Sequence, residues 1–157
     1  MSRLFDSLYA LLLTLWVGSL WAIGYVAAPT LFSTLADRQM AGDIAGSLFA
    51  VSGWLGVACG VYVMIYLLAR QEMAALKRAA FWLALLMVAL TLVSLFGTQP
   101  LMAELKAEAL PRQVMESVLK DRFAAWHGIA SILYLLQSGL GACLVLVAQT
   151  GSERGRR

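Results

Sequence analysis

Between Ile44 and Ala69 the chain reads IAGSLFAVSGWLGVACGVYVMIYLLA, without one Asp, Glu, Lys or Arg. A transmembrane helix needs about 20 mostly apolar residues. One charge at the middle of such a helix costs roughly 2.5–3.5 kcal/mol, whereas each Leu or Ile returns only about 0.3–0.6. A stretch this long without a charge therefore marks hydrocarbon as its solvent. Three more stretches obey the same rule: Ser7 to Ala36, Ala79 to Ala103 and Phe123 to Ser152. The sequence predicts an all-α polytopic membrane protein. Its fold is an antiparallel bundle of four transmembrane helices in one domain, with spans near 7–29, 44–69, 79–99 and 124–149 and an outer helical hairpin over 101–122.

Composition points the same way. Of 157 residues, 61% are hydrophobic and 13% charged, against about 45–50% and about 25% in soluble domains. The net charge of +3 is spread over short connections and the tail, with no basic stripe for nucleic acid. Cys59 and Cys143 lie inside apolar runs and form no CxxC or Cys/His spacing; they read as small buried residues, with soft metal ligation as the sharper alternative. The first stretch offers Val26-Ala27-Ala28 as a would-be cleavage site. Its length exceeds the 7–15-residue core of a signal peptide, and Pro29 follows directly, so it reads as a retained helix.

Lys and Arg set the orientation. Arg3, Arg70, Lys77, Arg78, Arg154, Arg156 and Arg157 fall on the side that holds the termini; Arg38, Lys106, Arg112, Lys120 and Arg122 fall opposite, where Glu104, Glu108, Glu116 and Asp121 balance them. The excess of basic residues on cytoplasmic loops predicts cytoplasmic N- and C-termini. In the third connection, Leu101, Leu105 and Ala109 and then Val114, Val118 and Arg122 repeat at helical spacing on either side of Pro111. Proline suits the first turn of a helix, which predicts a tight turn near Leu110-Pro111.

Small and polar residues fall in stripes. At 100° per residue, Gly42, Gly46, Phe49, Gly53, Gly56 and Gly60 share one face of the second helix, and Gly56-x-x-x-Gly60 is a close-approach motif. Thr14, Gly18, Trp21, Tyr25 and Ala28 share a face of the first helix, Ala84, Met87, Thr91, Ser94 and Thr98 one of the third, and His127, Ser131, Tyr134, Ser138 and Gly141 one of the fourth. Lipid supplies no hydrophobic drive between helices, so these faces are expected to turn inward, either as bundle glue or as the lining of a small cavity. The glycine face also offers a surface for a second copy or a membrane-protein partner.

His127, the one histidine, lies near the outer end beside Trp126. An ionisable residue in a span is a functional hypothesis; the plainer reading is an interfacial histidine. Asp43, next to Gly42, opens the second helix and suits the positive end of its dipole. Paired with His127, it would form a couple that titrates near physiological pH. His127, Asp43, Gln99, Tyr25 and Ser131 are thus the candidate ligand-binding residues. No catalytic residue and no cofactor are predicted, because GxGxxG, P-loop, GxSxG and HExxH patterns are absent. Haem and a metal ion stay open as alternatives.

Trp16-x-Gly18, Pro29-x-Leu31-Phe32, Ala41-Gly42 with Ala45-Gly46-x-x-Phe49, Gln99-Pro100 and Phe123-x-x-x-His127-Gly128-x-x-Ser131 together resemble the transmembrane-protein-205-like family of small, mostly bacterial four-helix membrane proteins. The resemblance runs from about Leu11 to Leu146 and implies a bacterial inner-membrane location. It implies no catalytic residue. A eukaryotic relative is linked to platinum-drug resistance and export, which implies handling of a small solute or metal cation. A more distant likeness, to four-helix haem-associated membrane proteins, implies a redox role, but those proteins use more than one histidine. The leading expectation is a non-enzymatic membrane protein that binds or passes a small solute or cation at an outward-facing polar cluster; a haem-linked redox protein and an assembly scaffold are the alternatives.

Overall fold

The computed structural model describes residues 2–109, 115 and 117–154, and every regular element among them is helical. Helix α1 (Ser2–Trp21) passes through a wide π turn (Ala22–Ala27) into α2 (Ala28–Thr34). Helix α3 (Arg38–Gln71) ends in a 3-10 turn (Glu72–Lys77). Helix α4 (Ala79–Val93) runs through a second π turn (Ser94–Thr98) into α5 (Gln99–Ala109), and α6 covers Lys120–Arg154. The described residues thus make four helices long and apolar enough to cross a membrane: Leu4–Thr34, Arg38–Lys77, Ala79–Ala109 and Lys120–Gln149. They are called the first to fourth spans below. The first packs on the second and fourth, and the third does likewise, which closes an antiparallel ring.

The second helix opens at Arg38 and not at Asp43. The Asp37 side chain accepts from the backbone N–H of Gln39 (2.8 Å) and Met40 (3.2 Å). It thereby satisfies two of the four amides that a helix start leaves without partners. Asp43 sits inside the helix. The turn expected at Leu110-Pro111 lies outside the described residues; Leu105 and Ala109, which lead up to it, are buried.

Leu11, Val51, Ile65, Phe96 and Leu135, drawn from all four spans, are each 60–67% exposed. Soluble monomers rarely expose large contiguous apolar patches, and a ring that shows them on every span needs hydrocarbon around it. The largest fully buried side chains come one from each span: Trp16, Val63, Met87 and Leu144.

The inward faces correct the stripes. The third span turns inward as expected, through Ala84, Met87, Thr91 and Thr98. The first does not. Its buried residues are Leu13, Trp16, Val17 and Leu20, while Thr14, Gly18, Trp21 and Tyr25 are exposed. On the fourth, Ser138 and Gly141 are buried and Tyr134 half-buried, but His127 and Ser131 face outward. The reason is that a hydroxyl can satisfy itself on its own helix. Thr14 donates to the Ala10 carbonyl (2.8 Å) and Ser131 to that of His127 (2.8 Å), so neither needs a neighbouring helix.

Candidate functional site

The glycines of the second span make room for side chains of its neighbours. A methyl carbon at Gly56 would lie 2.7 Å from Trp16 Nε1, one at Gly60 2.7 Å from Trp16 Cη2, and one at Gly53 2.8 Å from a Leu95 methyl. The expected close approach is therefore an indole laid across Gly56-x-x-x-Gly60, with Val88 also against Gly60. Contacts within the chain thus occupy Gly53, Gly56 and Gly60, three of the five glycines on the face offered to a partner. A methyl carbon at Gly42 would meet Lys106 Nζ (3.5 Å) and Phe32 (3.8 Å) only at ordinary contact distance, and Gly46 has nothing within 4 Å.

The first and third spans lose regular α geometry at corresponding places. Proline lacks an N–H, and its ring clashes with the carbonyl four residues back; that residue is Tyr25 for Pro29 and Phe96 for Pro100. In each case a π turn absorbs the conflict two residues before the proline, as π bulges commonly do, frequently at functional sites. Gln99 directly follows the second of these turns.

Tyr134 of the fourth span fills the space beside the first π turn. Its hydroxyl donates to the Leu20 carbonyl, and its ring lies where any side chain at Gly24 would have to stand. Phe49 meets the same ring edge-on at 5.1 Å and Tyr25 at 6.4 Å. One side chain thus joins the first, second and fourth spans, which the periodicity of the fourth helix had marked without naming its target.

The other candidates separate. Asp43 Oδ1 pairs with Lys106 Nζ at 2.7 Å, joining the second span to α5 at the end of the third. The proposed Asp43–His127 couple is thus replaced by Asp43–Lys106. His127 stacks on Phe123 (centroids 6.1 Å apart, planes 13° apart) and is exposed, as is Ser131. Among the described residues no three of His, Cys, Asp and Glu gather as a metal donor set. Cys59 is buried and Cys143 exposed, both as free thiols.

Two polar groupings include residues that the stripes left out, Gln137 in the first and Asp6, Tyr66 and Arg70 in the second. Midway along the bundle, Gln137 Nε2 donates to Thr91 Oγ1 (2.6 Å), which donates to the Met87 carbonyl (2.8 Å). Nearby in sequence, buried Ser138 Oγ lacks a hydrogen-bond partner, as does Trp16 Nε1 on the first span. A glutamine inside an otherwise apolar run was the available signal. At the end that holds the start of the first span, Asp6 accepts from Arg70 Nη2 through both oxygens (2.8 and 3.1 Å) and from Tyr66 Oη (2.5 Å). Tyr9 stacks on Tyr66 at 4.5 Å. Reading charges only as flanks of the spans had hidden this pairing.

A ring of four apolar helices with a sparse polar interior defines an integral membrane protein. Residues 11–111 match the family described as a domain of unknown function (DUF4149), and the chain belongs to that family. No curated protein and no solved structure matches it.

Proposed function

We propose that the protein binds and passes a small polar solute or monovalent cation through the half of the bundle that contains the two π turns. The observation that carries this reading is the paired interruption of the first and third spans before Pro29 and Pro100. Gly/Pro-interrupted segments at corresponding positions of two halves are the best pointer to a transporter's binding site, because irregular backbone there frees polar groups toward a cavity. The Thr91–Gln137 pair continues a polar route at mid-depth, and the Asp43–Lys106 pair stands at its outer mouth. Gln99 supplies a polar group directly after the second break, and Tyr25, within the first, braces Tyr134 from the exposed side. His127 and Ser131 belong to the outer interface in this reading. The termini lie in the cytoplasm by the basic-residue excess, and the likeness to the transmembrane-protein-205-like family, with its link to export, fits the same role in a bacterial inner membrane.

The test is flux into proteoliposomes of small neutral solutes and of monovalent cations, compared with protein-free vesicles. Entry above background is expected for at least one of them, reduced in Gln99→Leu and in Asp43→Asn and unchanged in His127→Ala. Background flux for every solute, with correctly inserted protein, overturns the proposal.

A further inference from the structure

We infer that the protein carries a binding site for an anionic glycerophospholipid on the outside of the bundle, at the end where Asp6 and Arg70 meet. A groove of about 240 Å³ opens there on the bundle's surface, lined by Phe5, Tyr62, Ile65, Tyr66, Ala69 and Arg70. All but one of these side chains are apolar or aromatic; the exception, Arg70, stands at one end. Tyr62, Tyr66 and Arg70 follow each other at four-residue spacing, so they lie along one face of α3 and cover about 12 Å of its length at 1.5 Å per residue. That is most of the depth of one leaflet, about half of a 30 Å hydrocarbon core. The groove therefore runs from the membrane interface into hydrocarbon with its single cation at the interfacial end. Phospholipid has the same polarity along its length.

The ion pair leaves Arg70 able to hold a headgroup. Arg70 gives Asp6 both of their shared bonds from one nitrogen, Nη2, whereas a guanidinium carries five N–H donors in a planar fork suited to phosphate. The Arg70 side chain is 47% exposed. Tyr66, held by its hydrogen bond to Asp6 and by the stack on Tyr9, forms a fixed aromatic wall directly below. Lys77 and Arg78 on the adjoining connection add positive charge at this end, and juxtamembrane basic residues attract anionic lipid. A zwitterionic lipid would place its choline against the same cations, so the site discriminates by headgroup charge. This inference is independent of solute passage.

Native mass spectrometry of the protein in a non-ionic detergent, supplemented with phosphatidylglycerol and phosphatidylcholine at equal mole fraction, reads the site. Phosphatidylglycerol adducts are expected to exceed phosphatidylcholine adducts by about fivefold, in keeping with charge-assisted recognition. Arg70→Gln should remove that preference, and Asp6→Asn should keep or raise it, because it frees the guanidinium. Ile65→Trp, at a position facing the groove and the lipid, should lower retention of both lipids with the ion pair intact. Equal binding of the two lipids overturns the proposal. So does a preference that survives Arg70→Gln, one lost in a folded Asp6→Asn, retention unaffected by Ile65→Trp, or displacement of the lipid by inorganic phosphate alone.

Discussion

Gly24 and Gly18 lie six residues apart on the same span, and the structure assigns them opposite weights. Tyr134 occupies the place of a Gly24 side chain, whereas Gly18 has nothing within 4 Å. Gly24→Ala should therefore destabilise the protein by about 1–3 kcal/mol, the usual range for overpacking. Gly18→Ala should be neutral or mildly stabilising, since alanine is the better helix former by about 1 kcal/mol. Thermal unfolding of the two variants in detergent checks the contrast. Trp16 is the larger case: it is 1% exposed and fills the glycine face, so Trp16→Ala should cost about 3–5 kcal/mol. The glycine periodicity was legible in the sequence. Its occupant was not, because a pattern on one helix records vacant space without recording which neighbour enters it.

The helices end where their caps are, and their faces turn where packing is. Asp37→Ala should cost about 1 kcal/mol through loss of the cap. Asp43→Ala should cost less, because its partner contact is a half-exposed ion pair of the kind worth 0–1 kcal/mol; equilibrium unfolding of both variants gives the comparison. At the second π turn, Pro100→Ala restores an amide and removes the clash with the Phe96 carbonyl. Slower hydrogen exchange over residues 94–98 is expected, and unchanged exchange would mean that proline does not set the break. Span existence was plain from charge alone, since a buried charge costs several times what a leucine returns. Facing was not. The rule that polar means inward failed at Thr14 and Ser131, whose hydroxyls bond to their own helix, and held for Thr91, which also accepts from Gln137 on another span.

At the scale of the bundle, few polar contacts join the four helices, and most of the cohesion comes from close packing of Trp16, Val63, Met87 and Leu144. Dispersion contacts of this kind are individually small and large in sum. A double-mutant cycle on Thr91→Val and Gln137→Leu should return about 0.6 kcal/mol, with about 1.7 as the upper end known for such bonds in membranes. Of the groups around the two π turns, Tyr134 was legible in its stripe, whereas Pro29 and Pro100 were visible without being read as helix breaks. The Asp43–Lys106 and Asp6–Arg70 pairs were not, because each joins residues more than sixty positions apart and sequence spacing carries no signal at that range.

All of these expectations require hydrocarbon around the outward-facing Leu11, Val51, Ile65, Phe96 and Leu135. Extraction of expressing membranes with alkaline carbonate, followed by ultracentrifugation without detergent, asks this directly. The protein should stay in the membrane pellet and leave it only with detergent. Recovery as a folded, monodisperse species in the detergent-free supernatant would contradict the account.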